Sequence, residues 1–355
     1  MSGTSQRYIV RDRDIIRDTD GRMFVVLGYI QPKNRVLSFL KYIPASEGRW
    51  EFSGQKYRRI FYGNVEAVMD GLEIAPAGYL VEDNHFGTTL LEVPFEHIAE
   101  HYRPDIRLEE ILAHGPRDML EDAVEGMATA LHTQLGIPLK DIGIAGSIAW
   151  KGHNPEFSDI NMNVYGFENS WNLQRNHEQT SMDTHVRLRN LEEWDTGISR
   201  VMNRIPSLSV EDMKKLFSRR FAFYYDEQCI GITPVLWPEE APITHGDETY
   251  IQVSQEPIRI NFEVENADYG IFHPSLLVGT ALTKTPENKL VSRVMVYDGA
   301  FTGLFSTGDI LEVSGTLQRV VPVAKEVPEF YQVMVGTKDG ARREYIRFAE
   351  QAELS

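Results

Sequence analysis

The sequence predicts an α+β chain in three parts: a β-rich N-terminal α+β module over residues 1–106, a central mixed sheet with flanking helices over 107–242, and a small β-barrel over 243–355. Three observations carry this prediction. Apolar runs of strand type dominate both ends of the chain, a strong three-and-four spacing appears in the middle, and glycine or proline marks the changes between them. A chain of 355 residues has room for two or three domains of about 100 to 200 residues each.

In the first part, Met23 to Ile30 and Arg35 to Tyr42 are β-rich runs separated by the turn-like Gln31-Pro32-Lys33-Asn34, which reads as a hairpin. Gln55-Lys56-Tyr57-Arg58-Arg59 mixes basic and aromatic residues, and reads first as a solvated strand edge and second as a contact for an anionic partner. Helical spacing begins at Arg107 to Leu112 and resumes from Arg117 to about Leu135, where Leu120, Val124, Met127, Ala128 and Leu131 form one apolar stripe ended by Gly136 and Pro138. Strands follow at Ile142 to Ala149 and Ile160 to Tyr165, then a long polar segment from about Asn169 to Asp195. Ser209 is placed to cap a helix running to Phe217, and Ile230 to Leu236 is an acid-free apolar strand. The last part alternates strictly over Ile258 to Glu265 and adds strands at Val291 to Tyr297, Gly308 to Leu317 and Phe330 to Val335, the spacing of an OB-like barrel.

Composition narrows the function. Asp and Glu outnumber Lys and Arg by 52 to 36, so the surface repels polyanions on average and excludes a general nucleic-acid coating role. A nucleotide carried on a metal ion remains compatible, because the cation screens the phosphates. The single cysteine, Cys229, excludes an internal disulfide and a cysteine-based zinc finger and fits a reducing, cytoplasmic setting. Met1 to Arg7 lacks a signal-peptide apolar run, and no stretch of about 18 apolar residues offers a membrane span.

The chemistry gathers around Gly146-Ser147 and the strand Ser158-Asp159-Ile160-Asn161-Met162-Asn163. Side chains two apart on a strand share a face, about 7 Å apart, so Asp159 and Asn161 project together and can share a metal ion. A Gly-Ser turn leaves backbone N–H groups uncovered for phosphate. Ser158, Arg219 and Arg220 join them as nucleotide-binding candidates, since guanidinium forks suit phosphate oxygens. His153 reads as a loop-shaping residue or a phosphate contact, and Phe221, Phe223, Tyr224 and Tyr225 as core or a base-stacking wall.

These residues resemble the polymerase-beta-like nucleotidyltransferase signature, in which Gly-Ser or Gly-Gly precedes acid-apolar-acid-apolar. The longer pattern is similar to an archaeal group of predicted nucleotidyltransferases: Ala145-Gly146-Ser147, His153-Asn154-Pro155, Ser158-Asp159-Ile160, Gly115-Pro116-Arg117-Asp118, Ile271-Phe272-His273-Pro274 and Gly308-Asp309. The resemblance implies Mg2+, or Mn2+, held by Asp159 and Asn161, and transfer of a nucleoside monophosphate from a nucleoside triphosphate to a hydroxyl acceptor such as RNA or a protein. Asn161 departs from the pattern, which has Asp or Glu there. An amide oxygen cannot bridge two ions or add charge. For the third acid, Asp226, Glu227, Glu263 and Glu265 are candidates. A degenerate nucleotide- or RNA-binding module and a structural or assembly protein stand as alternative readings.

Overall fold

The structure is a computed structural model and describes residues 9–60, 71–285, 288–338, 340 and 342–350. The expectation for Met1 to Arg7 lies outside these residues. The architecture is mixed α+β with three sheets. No described helix is long and apolar enough to cross a membrane.

The first sheet has eight strands, in the order Trp50–Phe52, Gln55–Arg59, Arg35–Ala45, Met23–Val26, Ile15–Asp18, Ile98–Tyr102; Thr88–Pro94 pairs with the start of the long strand and Leu80–Asp83 lies beside it. The expected hairpin is present, with Phe24 opposite Leu40 and Val26 opposite Ser38. Its first strand stops at Val26, and Gly28 follows with φ +74°. The strand Gln55–Arg59 is not an edge: it is paired on both sides, and the edge is Trp50–Phe52. Tyr57 is therefore buried, while its neighbours Lys56 and Arg58 point to solvent.

The central sheet runs Val186–Leu188, Phe223–Tyr225, Gln228–Val235, Ile160–Tyr165, Ile142–Ile144, and only the pair Ile160–Tyr165 with Gln228–Val235 is parallel. The helix Met119–Leu135 covers one face, with Val124, Met127, Ala128 and Leu131 packed against Ile142, Ile144, Ile160, Met162 and Val164. Asp118 caps it by accepting from the N–H groups of Leu120 and Glu121, and Gly136 ends it in the left-handed region. Ser209 caps Val210–Phe217 as the sequence predicts, in a reciprocal box with Asp212. Two helices, Phe167–Asn176 and Asp195–Arg204, lie where a polar segment was expected or just beyond it. Each buries a narrow face, Ser170 and Leu173 in one and Ile198 in the other, which is too little to mark a helix by apolar spacing.

The third sheet curls. The pairings run Ile258–Tyr269 with Ser275–Ala281, then Val291–Val296, then Phe330–Val335 in parallel, then Ile310–Pro322, which returns to Ile258–Tyr269. Its inward face holds Ile260, Phe262, Val264, Val294, Val313 and Val333, and the helix Val210–Phe217 adds Met213 and Leu216 to the same cluster.

The sequence Gly115-Pro116-Arg117-Asp118 lies at a charged junction. Glu121, only 1% exposed, accepts from Arg107 and from both the N–H and the guanidinium of Arg117, and His153 reaches Asp118 at 2.8 Å. Removing one member of a buried ion network strands the others without water. Glu121→Ala is expected to cost about 3 to 5 kcal/mol of unfolding free energy. Urea titration followed by circular dichroism checks this, and a loss below about 1 kcal/mol would place the network outside the folding core.

Candidate functional site

Strand Ile142–Ile144 lies antiparallel to Ile160–Tyr165, and the Ala145 N–H donates to the Asn161 carbonyl at 2.8 Å. The chain then turns at Gly146, whose φ of +66° glycine adopts without a Cβ clash. One helical turn, Gly146–Ala149, follows, so the strand expected through Ala149 ends before Gly146. Ser147 donates to Ser158 Oγ at 3.4 Å, and Ser158 Oγ accepts the Asn154 N–H at 2.9 Å. Both serines thereby fasten the loop that delivers Asp159. The turn ends on Trp150, fully buried against Tyr42 and Tyr57 of the first sheet with ring centroids 5.3 and 5.1 Å away. That contact fixes the first sheet opposite the Gly-Ser turn.

Between them is a cleft of about 310 Å³. One side carries Gly146, Ser147, Ser158, Asp159 and Asn161, so the structure brings these five predicted residues together. Asp159 and Asn161 are exposed to the cleft. A Cβ on Gly146 would lie 3.6 Å from Asn161 Nδ2, and one on Gly231 3.7 Å from Asn161 Oδ1, so the amide sits over two glycines. The other side is supplied by the first sheet: Arg13, Lys41 and Arg59, with the rings of Phe39, Tyr42 and Trp50 beside them.

Among the described lining residues, Asp159 is the one carboxylate. On the parallel strand the partners of Asn161 and Asn163 are Gly231 and Thr233, and neither bears a charge. The four candidate third acids all lie elsewhere. Asp226 sits in a turn bonded to His185, Glu265 accepts from Thr280, and neither Glu227 nor Glu263 lines the cleft. Magnesium takes carboxylate, carbonyl and water oxygens in an octahedron, and a two-ion site needs carboxylates to bridge and neutralise it. One carboxylate and one amide facing three cations do not fit a pair of magnesium ions.

Arg219 and Arg220 do not line this cleft. Arg219 pairs with Asp309 at 2.7 and 2.9 Å, and Arg220 donates to the carbonyls of Gly299 and Ala300. Instead of binding phosphate in the cleft, both join the central region to the curled sheet. His153 shapes a loop through Asp118. Phe223 is core, Phe221 stacks on His177, and Tyr224 and Tyr225 meet Arg187 and His185, so no base-stacking wall forms from that group. The aromatic wall comes instead from Tyr42, Trp50 and Phe157, with Trp50 5.3 Å from Tyr42 and 5.5 Å from Phe157.

The residues that sequence reading missed are Arg13 and Lys41, and Arg59 was assigned to a solvated edge. Burial, together with the neighbouring charges of Arg59 and Arg13 and against that of Asp159, pulls the Lys41 ammonium down to about 7. Bringing like charges together in a buried recess costs stability. The unfolded chain binds this proton more tightly than the folded one, so the penalty is complete below about pH 7 and vanishes as pH rises toward 10.5. Lys41→Met, which keeps the stem, is expected to raise unfolding free energy at pH 6 by on the order of 1 kcal/mol and to change it little near pH 10.5. Urea midpoints at the two pH values test this; a variant less stable than the parent at pH 6 would refute it.

Compared with known proteins, the chain is similar to an uncharacterized protein of Methanocaldococcus jannaschii, 24% identical over 356 residues that span 95% of this chain and 98% of that protein. No family model matches the chain, and no solved structure matches it at a significant level.

Proposed function

We propose that this chain binds a phosphorylated, nucleotide-class ligand in the cleft by side-chain charge, on a nucleotidyltransferase-like core that has given up two-metal transfer. The observation that carries this is the lining itself: among the described residues, Arg13, Lys41 and Arg59 oppose one carboxylate, Asp159. Phosphate oxygens are recognised by fixed cations and uncovered N–H groups, and a low-dielectric recess strengthens both. The Gly146 turn supports the same end. Trp50 and Phe157 lie beside the cations, the arrangement that holds an aromatic base while its phosphates are neutralised. The curled sheet adds a second consideration, since its pairing ring has the strand order of an OB-type barrel, a surface many proteins use for nucleotides and sugars.

Cation-driven binding and metal-driven transfer differ in what Asp159 does. In the first, its charge opposes the ligand; in the second, it is the ligand's anchor through the ion. The test is calorimetric titration of the full chain with ATP, with EDTA or with magnesium. Binding is expected to persist in EDTA, to survive or tighten in Asp159→Asn, and to weaken at least tenfold in Arg59→Met, the loss that follows from one charge-assisted contact. Affinity is also expected to fall from pH 7 to pH 9, because Lys41 must hold its proton to meet phosphate. Binding that requires magnesium and disappears in Asp159→Asn, with label passing from nucleoside triphosphate to RNA, would return the chain to the transferases. No ATP binding in either buffer would reject both readings.

A further inference from the structure

A second, smaller pocket of about 170 Å³ lies where the central sheet meets the curled one, and it touches the main cleft through two shared residues, Arg13 and Thr233. Its other polar walls are Gln174, Arg219, Arg220, His273 and Thr302, and among the described residues no Asp or Glu lines it. Several buried polar atoms there have no hydrogen-bond partner among the described residues: the Arg220 Nε, the Thr302 hydroxyl and both ring nitrogens of His273. His273 is 5% exposed. Buried polar groups nearly always find partners, so a cluster left open along one cavity marks a site that something else completes.

Three of these four open atoms can donate, and the second His273 nitrogen accepts. A guanidinium nitrogen donates only, a hydroxyl donates readily, and a neutral imidazole offers one N–H. Burial holds the His273 ring well below its usual range, to about 4, so it stands neutral here. Two carboxylates act on the His273 ring from outside the pocket lining, and each has a cation beside it. Asp298 is held by Arg204, and Asp12 accepts the Gly28 N–H and pairs with Arg13. Converging donors beside arginine, with no carboxylate among the described lining residues, select an acceptor-rich anion.

We infer that this pocket is a second oxyanion subsite, in which Arg220, Thr302 and His273 donate to a phosphate- or carboxylate-class group lying beside the cleft ligand. The inference stands on its own lining and does not require the cleft to bind a nucleotide. Arg220 fastens the curled sheet as well as facing the pocket, so Thr302→Val, which keeps size and removes the hydroxyl, is the primary variant. Inorganic phosphate is titrated calorimetrically into the full chain, with potassium chloride of equal ionic strength as the control and acetate in a parallel arm. The work is done in a Lys41→Met background so that the main cleft is weakened. Saturable phosphate binding in that background, reduced roughly tenfold by adding Thr302→Val with an unchanged thermal midpoint, is the expected result. Acetate competing as well as phosphate assigns the subsite to carboxylates, and phosphate alone assigns it to phosphoryl groups. An affinity that Thr302→Val leaves unchanged, or heats no larger than those from potassium chloride, would overturn the inference whatever ATP does in the cleft.

Discussion

The molecule is organised around a buried arginine near its N-terminus. Arg11, 5% exposed, is bonded to Asp105 at 2.7 Å at the start of the helix Pro104–His114, and its guanidinium lies over the rings of Tyr165 and Trp237, 4.6 and 5.4 Å from their centroids. It also pairs with Asp14, fully buried, which accepts from His101 at 2.8 Å. One side chain thus ties the first sheet to a helix, to the end of the central parallel strand, and to the segment that leads into the curled sheet. Such an arrangement gains little net stability over apolar packing, because desolvation offsets the Coulomb term. What it does impose is geometry. A slip of the first sheet would leave Arg11 and Asp14 buried and unpaired, at several kcal/mol each. The two residues beyond Arg11 then set the cleft: Asp12 accepts the Gly28 N–H at 2.7 Å, and Arg13, held at φ +69°, lines both pockets.

Several sequence patterns that carry the archaeal resemblance prove to be junctions of this kind. Gly115 to Asp118 and His153 meet through Asp118 and Glu121. His273 is buried beneath Gly28, where a Cβ would lie 3.0 Å from the His273 carbonyl oxygen, so that close approach requires glycine. Asp309 receives Arg219 across the seam between helix and curled sheet. A chain similar over most of its length to another can keep such residues because they join sheets, whatever happens at the cleft. Those motifs speak to architecture, and the chemistry has to be argued from the cleft lining alone.

Much of the scaffold was legible in the sequence. The stripe Leu120 to Leu131 and the alternation of Ile160, Met162 and Val164 report one buried face each, and local period is what hydrophobic burial writes into a chain. The Gly146-Ser147 and Asp159-Asn161 half of the cleft was legible too, being a local constellation on adjacent strands. The cationic half was not. Lys41 and Arg59 come from two strands of the first sheet and Arg13 from the turn before its Ile15–Asp18 strand, and they reach Asp159 only through the Trp150 and Arg11 contacts, which join residues far apart in the chain. Arg11-Asp12-Arg13-Asp14 is a run of four charged residues, and nothing local in it says that Arg11, Asp12 and Asp14 are buried.

The contrast between the surface and the cleft bears on what kind of anion this protein can take. The chain carries a formal charge of −16, yet its recess gathers three cations around one carboxylate. Exposed charges are screened beyond about 8 Å at physiological salt, so the acidic surface acts mainly on ligands that must lie across it. A long polyanion has to spread over that surface to reach the cleft and meets repulsion along its length. On the proposed reading, a compact phosphorylated ligand enters a recess where cations outnumber the carboxylate Asp159 among the described residues, and their field is stronger where water is excluded. On the proposed reading, a cleft whose described lining holds one carboxylate among three cations therefore favours a small ligand over an RNA strand, with selectivity in the first sheet rather than in the signature strand.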